Sequence, residues 1–376
     1  MARFLITGAT GALGQMLVPE LARNGIEVIC LIRPQRGETP DSRLSRLNLD
    51  KELVSCVSGG DIKEALCGVS PSDVSRLRGK IDTIIHSAAI VKFDEELREE
   101  TLTTNIGGTR EILKLAKELD VPRFAYVSTA YVAGGADKFT EDDIDIGQNL
   151  RNPYEESKLA AEKLVREWGA ENAVSILVLR PSILVGRSTD GLTPDFNGFY
   201  GFYSGFARIK NRLHKKKTRN GADGLFPTSI ENGKLVIDLP VEFSMGAACT
   251  INLIQLDWVV DVAVKLMKKG STGTYFLSHH EPLTIRVMTS HILGRFGYRG
   301  FSFREPGAYT NAFSRIQKNI NALINTYSPY VSHEALFVSR NAKAELGSMF
   351  VPPPRTDIAF LDVLIDYAEK AEWGKK

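Results

Sequence analysis

No apolar run in this 376-residue chain approaches the roughly 18–20 residues a membrane span requires. The N-terminal residues Met1-Ala2-Arg3-Phe4-Leu5 lead straight into a strand-like segment with no leader pattern. The expectation is therefore a cytoplasmic protein with no transmembrane segment. Cysteine is scarce: Cys30, Cys56, Cys67 and Cys249 show no CxxC or Cys/His spacing, which argues against a disulfide framework and a zinc site and for buried thiols. The six histidines form no HExxH-type cluster, so no metal site is expected. Strong charge of one sign is missing too, the formal net charge being +2. Seven basic residues lie between Arg208 and Arg219 with no acidic residue among them; a nucleic-acid binder spreads its basic character more broadly, so none is expected as a partner.

What the chain does have is 43% hydrophobic residues and an alternation of strands and helices over its first 186 residues. This pattern predicts an α/β fold with a parallel sheet covered on both faces. Strands are expected at Arg3–Thr7, Glu27–Ile32, Leu53–Val57, Ile81–His86, Phe124–Ser128 and Ser175–Leu179. Leu13, Met16, Leu17 and Leu21 recur at helical spacing until Asn24-Gly25. A long helix is expected over Leu97–Leu119. Beyond Gly186 the alternation gives way to Gly- and Pro-punctuated loops, with a strand near Lys234–Asp238, a helix near Asp257–Lys268 and a terminal helix after Pro354. We divide the chain into a nucleotide-binding domain, 1–186, and a smaller substrate-binding lobe, 187–376, whose chain also has the option of crossing back to the sheet.

Thr7-Gly8-Ala9-Thr10-Gly11-Ala12-Leu13-Gly14 joins the first strand to the first helix. Glycines there permit a tight turn, close approach to a pyrophosphate and close helix packing, and the helix N-terminus presents free N–H groups. In that position the turn predicts a dinucleotide site and a Rossmann-type doubly wound sheet. A carboxylate at the end of the second strand would bind the free ribose 2′-hydroxyl of NAD, but Arg33 stands there with Arg36 close by. A guanidinium fork suits a 2′-phosphate, hence NADPH, unless Arg33 is only a solvated loop residue. Asp61, after Gly59-Gly60, is placed either at the adenine or in an ordinary turn.

Carbonyl reduction needs a proton donor for the developing alkoxide and a group to hold that oxygen. Of the eleven tyrosines only Tyr154 has a lysine four residues on, Lys158, which places the pair on one helix face. The ammonium makes the phenolate accessible and is suited to holding the nicotinamide ribose. Thr129, at the carboxyl end of the fifth strand, is the candidate to hydrogen-bond the substrate oxygen, with Ser128 a weaker one; the alternative is an ordinary strand-end threonine. Pro181 and Ser182 end the sixth strand, where backbone groups reach the nicotinamide carboxamide or Pro181 merely terminates the strand.

These motifs, in this order, resemble the extended short-chain dehydrogenase/reductases: the TGxxGxxG turn at 7–14, His86-Ser87-Ala88-Ala89, Asn105-Ile106-Gly107-Gly108-Thr109 and Tyr154/Lys158. Several strings are most similar to the thioester reductase and fatty acyl reductase branch: Cys30-Leu31-Ile32-Arg33, Ile90-Val91-Lys92-Phe93, Tyr126 to Gly134, and Ile251-Asn252-Leu253-Ile254 running into Leu256-Asp257-Trp258. The resemblance spans roughly residues 3–270. It implies Thr129, Tyr154 and Lys158 as the catalytic triad and Asn105 as a structural or water-positioning residue. It also implies a cofactor surface that includes Thr7, Gly8, Thr10, Gly11, Ala12, Leu13, Gly14, Asp61, Ile62, Ala88, Ala89 and Asn105.

The branch implies NADPH-dependent reduction of an acyl thioester, on coenzyme A or a carrier protein, to the aldehyde, with further reduction to the alcohol left open. The sequence shows no adenylation or carrier segment, so a carrier is expected to be a separate protein, unless the substrate is a free aldehyde or ketone. Arg208, Lys210, Arg212, Lys215, Lys216, Lys217 and Arg219 either meet coenzyme A phosphates or an acidic carrier, or form a solvated loop. Phe196, Tyr200, Phe202, Tyr203 and Phe206 either line an acyl groove or form core. The competing readings are a sugar-nucleotide or steroid-type dehydrogenase/epimerase and a non-catalytic cofactor sensor; the intact Tyr154/Lys158 pair argues against the sensor.

Overall fold

A computed structural model describes residues 1–34, 37–45, 52–217, 228–306, 317–318, 320–321 and 327–374, with the backbone alone for 213–217. The chain divides into two compact units. The first comprises Met1–Leu184, Ile254–His280 and Ala335–Pro353; the second comprises Val185–Leu253, Glu281–Glu334 and Pro354–Lys376. The boundary thus falls beside the one expected at 186, but two later stretches return to the first unit.

The first unit is built on a seven-stranded parallel sheet. Its strands are β1 (Arg3–Thr7), β2 (Glu27–Leu31), β3 (Val54–Val57), β4 (Thr83–His86), β5 (Arg123–Val127), a three-residue β6 outside the sheet (Lys138–Thr140), β7 (Ser175–Pro181) and a late strand, Gly273–Leu277. The order is Gly273–Leu277, β7, β5, β4, β1, β2, β3, a doubly wound Rossmann-type arrangement. The six sheet strands expected in the first half are all present, with ends moved by one or two residues. Parallel strands are buried on both faces and so read as continuous apolar runs. Phe4 and Ile6 join Val28 and Cys30 in the core on one face, while Leu5 joins Ile29, Leu31 and Ile84 on the other. Truncating Ile6 or Ile84, both fully buried, to alanine costs about 2–5 kcal/mol.

Helices α1 (Gly14–Arg23), α2 (Pro40–Ser45), α3 (Pro71–Leu77), α4 (Arg98–Leu102), α5 (Gly108–Glu118) and α6 (Pro153–Glu171) connect these strands. The single helix expected over 97–119 is broken: Thr103–Gly107 forms a π-helical turn between α4 and α5. Such turns displace side chains from the regular helical stripe and recur at functional sites. Asn105 stands at the centre of this one. Helix α6 starts where its sequence directs, because Asn152 Oδ1 accepts from Glu155 N at 3.0 Å and Pro153 takes the first helical position.

The second unit holds a helix, Phe199–Lys217, where loops were expected, and an antiparallel pair, Thr228–Glu231 with Lys234–Asp238. Phe199, Tyr200, Phe202, Tyr203 and Phe206 are all buried. Spaced three and four apart, they present one stripe to the interior: Phe202 and Tyr203 lie 4.8 Å apart, Phe206 packs on Phe243 at 6.1 Å, and Tyr298 Oη donates to Phe206 O at 2.8 Å. Of the five aromatics named for a groove, Tyr200, Phe202, Tyr203 and Phe206 belong to the core, whereas Phe196 is half-buried and packs on Tyr200 at 5.4 Å. Among the described residues, no helix is long and apolar enough to cross a membrane.

Candidate active site

The glycine turn is closed by contacts that leave no room for side chains at two of its three glycines. Gly8 has φ +77°, and a Cβ there would meet Ala88 N at 2.8 Å. A Cβ on Gly14 would lie 2.1 Å from Gly8 O. Gly11 is exposed, and its Cβ would meet only Gly8 O, at 3.2 Å. Gly8 and Gly14 therefore shape the turn, while Gly11 offers bare backbone to a ligand, which fits a dinucleotide pyrophosphate. Leu13 is buried in the core beside α1, and Gln15 Nε2 donates to Thr10 O at 2.9 Å.

Arg33 is exposed at the end of β2, and Arg36 lies outside the described residues. A second guanidinium joins Arg33 from α2. Arg43 Nη1 donates to Arg33 O at 2.7 Å and its Nη2 to Thr10 Oγ1 at 3.0 Å, tying the glycine turn to the end of β2. Arg43 stands ten residues past Arg33 in the sequence, and only the fold brings the two together. Asp61 Oδ1 accepts from Lys63 N at 3.0 Å, the turn geometry that was its alternative reading. Ile62 is buried against Gly108, where a Cβ would meet Ile62 Cδ1 at 2.6 Å. Ala89 is exposed.

Thr7 and Ala88 belong to a buried hydrogen-bond chain. Thr109 Oγ1 donates to Asn105 O at 2.7 Å, so it accepts from His86 Nε2 at 3.2 Å. That fixes the neutral Nε2–H tautomer. His86 Nδ1 then accepts from the Thr7 hydroxyl at 2.7 Å, and Thr7 Oγ1 accepts from Ala88 N at 3.2 Å. Burial, aided by the Lys158 charge, pulls His86 down to about 3, so the ring stays neutral. The side chain of Thr7 is thus engaged within the protein.

Three consecutive residues at the end of β5 receive three side chains of α6. Lys158 Nζ donates to Val127 O at 2.6 Å and lies 4.3 Å from the centre of the Tyr126 ring. Ser128 Oγ donates to Glu162 Oε2 at 2.6 Å, so Ser128 is spent on structure. Thr129 Oγ1 accepts from Tyr131 N at 3.3 Å, and its side chain stands beside the Tyr154 phenol. Phe93 meets the Tyr154 ring edge-on at 5.9 Å, a contact that residue spacing does not encode.

Burial pushes the Tyr154 phenol up to about 12, against the opposing hydrogen bond from Thr129. Burial likewise pulls Lys158 down to about 7, with Glu162 opposing. Tyr154 is therefore held as a phenol with its proton available, the form a reduction needs from its donor. Asn105 anchors the other side of the helix. Its Nδ2 donates to Ser157 Oγ at 2.8 Å and to Ile90 O at 3.0 Å, and its Oδ1 accepts from Ile90 N at 2.9 Å. With both amide ends engaged and 2% exposure, Asn105 ties the loop after β4 to α6.

Pro181 closes β7, and Ser182 N donates to Leu277 O at 3.1 Å. The Ser182 hydroxyl is buried without a partner among the described residues, an orphan group at the carboxyl end of the sheet, where ligands of open α/β sheets bind. With the Gly11 backbone and the Arg33/Arg43 pair, it fits a nicotinamide dinucleotide. In the basic segment, Arg208 Nη2 donates to Ser204 Oγ at 2.7 Å and Lys210 pairs with Glu369 at 3.0 Å. Lys215, Lys216, Lys217 and Arg219 lie outside the described side chains.

The family described as Male sterility protein matches residues 6–229. Fatty acyl-CoA reductase 1 of Gallus gallus is 30% identical over 270 residues, which cover 58% of this chain and 50% of that protein. A 3-beta-hydroxysteroid dehydrogenase of Mycolicibacterium neoaurum is 29% identical over 195 residues, covering 50% and 49%. The chain thus spans about half the length of these curated relatives. Among solved structures, the terminal R domain from the myxalamid PKS-NRPS biosynthetic pathway superposes with a TM-score of 0.73 at 24% identity, covering 99% of this chain and 92% of that one. A thiolation-reductase di-domain from an archaeal non-ribosomal peptide synthetase gives 0.71 at 20% identity, covering 100% and 76%. At these identities the two structures speak for the fold. The chain belongs to the Male sterility protein family, within the thioester reductase branch of the extended short-chain dehydrogenase/reductases, a class of nicotinamide-dependent oxidoreductases.

Proposed function

We propose that this chain reduces an acyl thioester, carried on coenzyme A or a carrier protein, to the aldehyde, with NADPH as the reductant. The observation that carries the reading is Lys158 Nζ held on Val127 O at 2.6 Å, one turn along α6 from the buried Tyr154, with the Thr129 side chain beside the Tyr154 phenol. The nicotinamide, when bound, supplies the hydride. Tyr154 Oη donates its proton to the carbonyl oxygen while the Thr129 hydroxyl holds that oxygen in place. The Lys158 ammonium favours the phenolate left behind. Hydride and proton together convert the thioester to a hemithioacetal, whose C–S bond then breaks to release the thiol and leave the aldehyde. The aldehyde is itself a carbonyl, so the same three side chains serve a second reduction to the alcohol. Arg33 and Arg43 support the choice of NADPH, since two guanidinium groups at the end of β2 suit a 2′-phosphate.

The test follows the absorbance of the reduced nicotinamide with purified protein, a panel of acyl-coenzyme A and acyl-pantetheine thioesters, the matching aldehydes, and NADH in parallel. Thioester-dependent oxidation that disappears in Tyr154→Phe, with cofactor affinity retained, is the expected result. Turnover of aldehydes alone would make the protein a simple carbonyl reductase. Activity confined to a hydroxysteroid or a sugar nucleotide with NAD would move it to the steroid-type alternative, to which the mycobacterial relative gives some weight.

A further inference from the structure

Glu162 has no part in the mechanism above, yet it is a fully buried carboxylate on the same face of α6 as the reacting pair. Tyr154, Lys158 and Glu162 follow one another at four-residue steps, so each is the helical neighbour of the next. Glu162 Oε1 accepts from Arg180 Nη2 at 2.7 Å and from Arg166 Nη2 at 2.9 Å, and Oε2 accepts from Ser128 Oγ at 2.6 Å and Arg180 Nε at 3.2 Å. Arg180 is equally buried, its guanidinium 5.3 Å from the Phe139 ring and 5.4 Å from that of Phe276. Arg180 also donates from Nη2 to Asp143 O at 2.8 Å. Burial alone would raise the Glu162 carboxyl; the two guanidiniums and the Ser128 hydroxyl overcome it and hold the group ionised.

We propose that Glu162 is a positioning residue of the catalytic pair: through Ser128 it fixes the strand end at which Val127 holds Lys158 and Thr129 stands beside Tyr154, and its charge is the buried counter-charge of the Lys158 ammonium. The inference rests on reading Tyr154 and Lys158 as the reacting pair. Without a nearby anion, a lysine this deeply buried sheds its proton. Among the described residues, the other groups facing Lys158 bring no negative charge. Tyr126 on β5 offers a ring whose phenol burial keeps protonated, His86 on β4 is neutral, and Tyr154 keeps its proton to about 12. Glu162 is the one group that raises Lys158. Arg166, one turn further along α6 and 26% exposed, weakens that effect by sharing the carboxylate.

The experiment titrates Lys158 in isotope-labelled protein by NMR, the resonance being assigned by its loss in Lys158→Met. Glu162→Gln, which keeps an acceptor for Ser128 and removes the charge, should lower the midpoint by about one unit or more. Arg166→Gln should move it the other way. Ser128→Ala should leave the midpoint in place while lowering kcat with little change in KM, because it releases the strand end and spares the charge. A midpoint unmoved in both charge variants, or moved in the same direction by both, overturns the proposal. Should Glu162→Gln fail to fold with Arg180 left unpaired, the partly exposed Arg166 variant decides alone. The titration needs no substrate, so failure of the thioester reading and failure of this inference are separate outcomes.

Discussion

Asn105 and Ser157 are joined by a 2.8 Å hydrogen bond from the amide of one to the hydroxyl of the other, and that hydroxyl donates in turn to the Tyr154 carbonyl at 2.8 Å. The π-helical turn therefore reaches the first turn of α6 through two bonds. Asn105→Ala leaves the Ile90 N–H and C=O without their partner, at about 1–3 kcal/mol for a buried group left unpaired. The expected result is a lower denaturation midpoint together with reduced kcat. Ser157→Ala, which leaves the Ile90 contacts intact, should cost less stability. Equal losses would show that the bond between the two residues, rather than the Ile90 clamp, sets the effect.

Arg43 bridges Arg33 and Thr10, so its removal should be felt at the cofactor before it is felt in the fold. Arg43→Gln is expected to weaken NADPH binding about tenfold and to leave NADH within about twofold. Fluorescence titration of both cofactors measures this. Equal weakening would mean that Arg43 only steadies the glycine turn.

Gly14 and Gly11 should separate folding from binding. Gly14→Ala forces a Cβ against Gly8 O and should lower Tm by many degrees. Gly11→Ala should leave Tm nearly unchanged and weaken the dinucleotide, because the new methyl group stands where bare backbone is exposed. A Gly11→Ala protein with native cofactor affinity would remove that backbone from the binding site.

The pH dependence should be set by Lys158. Its folded value of about 7 lies below the ordinary lysine value of about 10.4. Reduction needs the charged form, so kcat/KM should fall as pH rises through about 7; Tyr154 holds its proton to about 12 and cannot produce that limb. Stability runs the opposite way. From about 7 up to the ordinary lysine range the unfolded chain binds the extra proton, so this group makes folding more favourable as pH rises through that window. Rate profiles and denaturation curves taken over the same pH range check both signs.

The sheet was legible because a parallel strand buried on both faces leaves a run of adjacent apolar residues, as Val28 to Leu31 do within β2. The strand Gly273–Leu277 follows a glycine-, serine- and threonine-rich turn far from the other strands, and only pairing with β7 identifies it. The helix Phe199–Lys217 was hidden by Gly201 and Gly205, which lower helix propensity inside an otherwise helical stripe. At the candidate site, Tyr154 and Lys158 could be paired from the sequence because a step of four places them on one helix face. Glu162, one more step of four, was visible in the same pattern, but a glutamate on a helix carries no signal until Ser128 and Arg180 are seen to converge on it. Arg43 and Phe93 depend on where loops return, which local spacing does not encode.

The late strand has a consequence for the order in which the molecule is made. All three residues of the Thr129/Tyr154/Lys158 group precede residue 182, yet the sheet that carries them is completed by Gly273–Leu277. While the intervening chain is being synthesised, β7 stands as a bare parallel edge, with its amide and carbonyl groups available to any other strand that meets them. A chain shortened before Gly273 would keep Thr129, Tyr154 and Lys158 in its sequence and leave the β7 edge of the sheet unpaired. The segment between the two strands is thus a delay as well as a structure.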